Sequence, residues 1–258
     1  MSPSISGSRF PSSADVDVNR KRLALLFVAL SLFVPTETSM AQSTLFNIPT
    51  TDTVDKGKAY LEFDFLPQIP HPHTADRLYI YDPRFVFGIG SNLEAGANVA
   101  VHSPFSTSVF IQPNIKWRFF KNDVKGLASA TGVILYVPVN HREEVPTFGL
   151  VYGVFSKKVK TGMYGPRFHV GLYGIVNGGN NWVGPRAGAI VGYEQPIHSS
   201  VHIVADWFSG KNAFGYFTPG LSFTLPENGV VNIGYSLGNN SYHGNDNRFL
   251  FVYYGVTF

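Results

Sequence analysis

Cysteine is absent from the 258 residues. That excludes disulfide staples, thiolate metal sites and a thiol nucleophile, and it suits export through an oxidising compartment, where a lone thiol is a liability. Charge is scarce too: Asp, Glu, Lys and Arg make up 14 % of the chain, against about 25 % in soluble domains. The formal net charge of +3 is too small for a nucleic-acid-binding surface. The body of the sequence has no apolar run near the roughly 18 residues that a membrane helix requires. In their place stand 26 Gly, 15 % aromatic and 44 % hydrophobic residues.

One apolar run does stand alone near the amino terminus. Arg20-Lys21-Arg22 precede Leu23–Val34, and Ser39-Met40-Ala41 follow. A basic start, a short apolar stretch and small residues before a cut predict a secretory signal peptide over 1–41, cleaved after Ala41. The run is too short for an anchor, and with no Cys at the cut a lipoprotein is excluded. Cleavage removes four basic and three acidic residues and leaves a charge of +2. Residues 42–57 are polar and are expected to form a mobile leader ahead of one β domain over 58–258.

From Lys58 onward hydrophobicity alternates at period two in about twelve segments, the pattern of strands whose successive side chains face opposite ways. Lys58–Leu66 puts Ala59, Leu61, Phe63 and Phe65 on one face and Tyr60, Glu62 and Asp64 on the other. Gly90-Ser91-Asn92 and Pro226-Glu227-Asn228-Gly229 read as tight hairpin turns. A soluble sandwich would alternate too, but its water-facing row would be charged. Here the second row is small, polar or glycine, and the connections alternate short and long. Pro83, Pro113 and Pro219 sit badly in a sheet without free edges.

The last segment, Leu250–Phe258 (LFVYYGVTF), carries Leu250, Val252, Tyr254, Val256 and Phe258 in one apolar row. It resembles the closing strand of bacterial outer-membrane β-barrels, in which a final Phe with hydrophobic residues at every second position before it is the assembly signal. The resemblance implies an all-β fold: a closed antiparallel up-and-down transmembrane β-barrel of about twelve strands, in the outer membrane of a Gram-negative bacterium. Phe258, Val256 and Tyr254 would engage the barrel-assembly machinery, the apolar row would meet outer-membrane lipid, and residues 42–57 would be a periplasmic leader.

The inner row is where function is expected. Lys116, Arg118, Lys157, Arg167 and Arg84 face inward with Glu62, Asp64 and Glu94, either as a salt-bridge lattice or as the lining of a wetted pore. Tyr60, Tyr136, Tyr173, Phe249, Phe251, Tyr253 and Phe155 are the inward aromatics, either a track for partly apolar solutes or rings packed over inward glycines. Twelve strands leave a bore between the filled eight-stranded barrel and the open porin. His71, His73, His102, His141 and His243 come from separate loops with no ligand spacing apart from His71-Pro72-His73, so no metal and no cofactor are expected.

The Gly- and Tyr/Phe-rich strands, with no separate plug domain, resemble transporter-like barrels. A narrow porin-like channel or passive transporter for an unidentified small solute is therefore the leading expectation, with a structural barrel as the alternative. A membrane-embedded lipid-modifying enzyme is the third reading. Adjacent strand residues such as His102 and Ser103 point to opposite faces, and Ser200 and His202 share a face but sit at a turn with no third partner, so an enzyme is not expected.

Overall fold

The computed structural model describes residues 43–69, 77–103, 107–143, 145–159, 164–179, 184–239 and 248–258. The expected signal peptide, His71, His73 and His243 lie outside them. The strands are β1 (Ala59–Pro67), β2 (Tyr79–Gly90), β3 (Leu93–Ser103), β4 (Ser108–Asn122), β5 (Leu127–Pro138), β6 (Phe148–Lys158) and β7 (Arg167–Val176). They continue with β8 (Ala187–His198), β9 (Val201–Phe208), β10 (Tyr216–Leu225), β11 (Gly229–Tyr235), β12 (Leu237–Gly238) and β13 (Leu250–Thr257). β11 and β12 are two parts of one strand interrupted at Ser236, since both pair with β10. Each strand pairs antiparallel with its neighbour, and β13 pairs with both β11 and β1. The wall is thus a closed twelve-stranded barrel without an edge.

Period two decides which side chains go where. Leu61, Phe85, Val99, Ile115, Val151, Leu172 and Ile233 all stand exposed on the outer surface. Tyr60, Glu62, Val86, Glu94, Lys116 and Phe251 are buried on the inner one. An exposed apolar surface of this extent is far beyond the patches that soluble monomers carry. Ser91 and Asn92, like Glu227 and Asn228, adopt positive φ between 52° and 61°. Two consecutive left-handed residues make the hairpin turn whose twist matches that of the flanking strands. The prolines are accommodated by position: the β2–β3 register skips Asp82 and Pro83, the β4–β5 register skips Gln112 and Pro113, and Pro219 lies opposite the break between β11 and β12. Separately, a β4 bulge after Trp117 leaves both Phe119 and Phe120 exposed.

The expected leader lies inside the wall. Ser43, Leu45, Phe46, Ile48, Thr50, Thr51, Thr53 and Val54 are all buried, and they touch inward residues of ten strands around the ring. A turn with Lys58 N donating to Asp55 O, and Gly57 at φ 79°, swings the chain from this segment into β1. The segment is a plug. Its composition explains why it read as a leader: Ser, Thr, Asn and Asp dominate it, and their partners are wall side chains distant in sequence.

Candidate functional site: the plugged bore

The plug is held at four places. At Ser43, the hydroxyl donates to Glu94 Oε1 at 2.5 Å, and Lys116 Nζ donates to both Ser43 O at 3.0 Å and its Oγ at 2.8 Å. Lys116 and Glu94 are themselves paired at 3.0 Å with both side chains almost wholly buried, and Glu94 Oε2 accepts from Val54 N at 2.7 Å. One carboxylate therefore ties the two ends of the plug. Arg84 extends this knot: it pairs with Glu62 at 3.3 Å and donates to Thr44 Oγ1 and Ser43 Oγ.

Opposite, Asp206 Oδ2 accepts from three successive plug amides, Phe46 N, Asn47 N and Ile48 N, at 3.1, 2.6 and 3.0 Å. Consecutive amides converging on one oxygen form a backbone nest, which favours an anion. Asn47 is clasped further by Tyr216, whose hydroxyl donates to Asn47 Oδ1 at 2.6 Å.

The third hold is Arg167, whose fork meets Asp52 at 2.5 and 3.0 Å and also donates to Thr51 Oγ1. Burial alone would push the Asp52 carboxyl up, but the Arg167 guanidinium overrides it and holds that carboxyl at about 2. Thr51 Oγ1 lies 2.6 Å from Ser156 Oγ.

The fourth hold is apolar. The Phe46 ring meets Phe251 and Tyr253 edge-on at 6.0 and 6.1 Å, and it fills the space that side chains at Gly220 and Gly234 would need. Leu45 and Ile48 do the same at Gly192, and the plug backbone at Val54 and Asp55 abuts Gly88 so closely that no Cβ fits there. These inward glycines are the seat of the plug.

The sequence-predicted residues fall into several groups. Arg84, Lys116, Glu62 and Glu94 come together as the polar knot around Ser43, and Arg167 stands apart at the Asp52 hold. Tyr60 donates to Glu62 Oε2, Tyr173 donates to Ser209 O, and Tyr136 stacks on Phe148 at 4.5 Å. With Phe249, Phe251 and Tyr253 these rings fill the bore. Arg118 stands at the turn end, its Nη2 donating to Asn92 Oδ1 at 2.6 Å. Phe258 and Tyr254 are exposed and Val256 half-buried on the outer row.

Lys157 is a correction. It is exposed and donates to Lys125 O, on the same outer row as exposed Phe155 and Val151. The inward row of β6 is Leu150, Tyr152, Val154 and Ser156. Both rows of this strand are apolar, so alternation alone could not choose between them.

Residues missed in the sequence reading include the whole plug, His169 and the partner Ser156. Ser156, His169 and Glu194 lie on adjacent strands, with His169 Nε2 2.6 Å from Glu194 Oε1. Yet Ser156 Oγ is engaged by Thr51 and Arg167, and His169 Nδ1 has no partner among the described residues. His102 packs its ring on Phe110, and among the described residues no three His, Cys, Asp or Glu gather around a metal position. No known protein-family model matches the chain, and comparison with curated proteins finds no relative.

Proposed function

We propose that this barrel spans a bacterial outer membrane and is a narrow conduit for small solutes, closed at rest by its own residues 43–54. The exposed apolar wall supports the location: in water it would be an unmanageable patch, and in lipid it is the surface that a barrel requires. We further propose that the chain acts by passage rather than by chemistry.

The observation that carries the gated conduit is how the bore is filled. Twelve strands enclose more space than wall side chains occupy, and the remainder is taken by a segment joined to the wall by hydrogen bonds, one ion pair and one inserted ring. Contacts of this kind can be exchanged for water or solute without breaking the wall's backbone ladder. A purely structural barrel has no need of a filling that separates from its wall.

The cysteine-free chain makes the test clean. Thr51→Cys with Ser156→Cys replaces two hydroxyls 2.6 Å apart and can lock the plug to β6. In liposomes, solute uptake is expected with the pair reduced and is expected to stop when it is oxidised. Uptake unaffected by oxidation would remove the plug from the pathway. Uptake absent in both states and in the wild type would replace the conduit by the structural reading.

A further inference from the structure

The bore's charges do not balance, and the remainder has a definite place. Arg84 pairs with Glu62, Lys116 with Glu94, and Arg167 with Glu194 at 3.8 Å as well as with the plug's Asp52. Those pairings use every Lys and Arg side chain buried in the bore among the described residues, and buried His169 also meets Glu194. Three inward wall carboxylates remain without a salt bridge of their own: Asp64, Asp82 and Asp206, the first two meeting the Arg84 charge only beyond ion-pair distance. Asp206 is satisfied by the plug's amides while the plug is seated.

Asp64 and Asp82 have no such cover. They are directly opposed in the β1–β2 register, one inward step beyond the Glu62–Arg84 pair, and like charges facing each other across a ladder repel. Asp64 is 6 % exposed, and Oδ1 of both residues is buried without a hydrogen-bond partner. Asp82 is held by its other oxygen: Asn98 Nδ2 donates to Oδ2 at 3.1 Å, and Asn114 Nδ2 backs Asn98 Oδ1 at 3.4 Å. The amide relay fixes Asp82 by Oδ2 and leaves its Oδ1 without a hydrogen bond. Apart from Lys160, every Lys and Arg after residue 43 is among the described residues, and none of those described pairs with either carboxylate.

Two buried carboxylates side by side are stabilised by a positive charge between them. A divalent ion such as calcium takes six to eight oxygens, more than two carboxylates and an amide offer. We propose that Asp64 and Asp82 form a station for a singly charged cation, an inorganic ion or a protonated amine, and that the bore passes cations in preference to anions. This rests on the conduit reading above and names its solute class. Displacing the plug strengthens the preference, because Asp206 then loses its three amides and joins the lining.

The test uses the full-length protein and a second readout that does not depend on passage. In planar bilayers under a potassium chloride gradient at pH 8, where a shared proton competes least, the wild type is expected to favour potassium over chloride by roughly threefold or more. Asp64→Asn with Asp82→Asn should bring the ratio close to one. A ratio near one or below in the wild type, or no change in the variant, overturns the preference. Separately, the melting temperature in detergent is followed in potassium or methylammonium chloride, with the bulky N-methylglucammonium ion keeping ionic strength fixed. A rise in the wild type that is absent in the double variant supports the station, and the more effective salt tells metal ion from amine. Equal response of both proteins overturns it. No conductance with a cation-specific melting shift would sink the conduit and keep the station. Asp64→Ser, paired with heat-modifiable gel mobility, guards against a folding defect.

Discussion

Arg167 of the wall and Asp52 of the plug face each other fork to carboxylate, Nη1 at 2.5 Å from Oδ2 and Nη2 at 3.0 Å from Oδ1. Two parallel charge-assisted bonds fix orientation as well as distance, so this pair sets how deep the plug sits. Its titration is the first prediction. The Asp52 carboxyl is held at about 2, below its ordinary 3.8. A depressed acid contributes stability that is present above the unfolded value and lost as pH falls through the folded one. The wild type should therefore lose about 2 kcal/mol of plug stability between about pH 4 and 2, read as protease exposure of residues 43–56. Asp52→Asn should be weaker at pH 7 and nearly flat across that window. A parallel pH dependence in both would place the transition elsewhere.

Phe46→Ala tests the apolar hold. Removing a buried ring costs roughly 3–5 kcal/mol where the site cannot collapse, and the glycines at 220 and 234 leave nothing to collapse inward. The expected result is accelerated amide exchange over 43–54 with the wall's exchange unchanged. Wall strands that loosen in step with the plug would show that the two are one cooperative unit.

Gly88→Val addresses the same seat from the wall side. Its Cβ would run into the backbone at Asp55 and Val54, which no rotamer change relieves. The variant is expected to form a barrel of normal gel mobility whose plug is expelled and cleaved by added protease. A protected plug would mean that the turn at Asp55–Lys58 yields instead.

On the outer face, Leu61→Arg should cost about 2–4 kcal/mol in lipid vesicles if the position lies near mid-bilayer, and much less in detergent, measured by urea titration in each. Its neighbour Glu62 is no mild control, because it is buried and paired with Arg84. Gly153→Arg, at an outer-row position with open space around it, is the matched comparison. Similar costs in lipid and detergent for Leu61 would remove the bilayer from the account.

Deleting Phe258 probes the seam. Its amide donates to Ala59 O at 2.8 Å and its carbonyl accepts from Ala59 N at 3.3 Å, so the last residue closes the ladder between first and last strands. The deletion is expected to slow folding and reduce the heat-modifiable fraction. Unchanged mobility and yield would show that the seam closes without it.

The wall was legible because period-two alternation is a local signal: Leu61, Phe63 and Phe85 against Glu62, Asp64 and Arg84 could be sorted residue by residue. Turn chemistry at Ser91-Asn92 and Glu227-Asn228 was legible for the same reason. β6 was misassigned because Val151 and Phe155 are as apolar as Leu150 and Val154, so neither row declares itself. The plug was illegible in principle from period alone. Ser43, Thr51 and Asp52 are polar because their partners are Lys116, Ser156 and Arg167, and sequence separations of 73 to 115 residues leave no local trace. The inward glycines were a usable hint, since Gly192, Gly220 and Gly234 open one side of the bore to a foreign ring.

The turn at Asp55–Lys58 also has a temporal side. β1 carries the plug on one flank and forms one lip of the seam to β13 on the other. Before β13 arrives, β1 to β11 make an open trough, and the plug can be laid in from the side. After Ala59 and Phe258 bond, the only ways in are the two ends. The seam between β1 and β13 is thus also a door: a plug seated before it closes enters from the side, and one seated afterwards has to thread through an end.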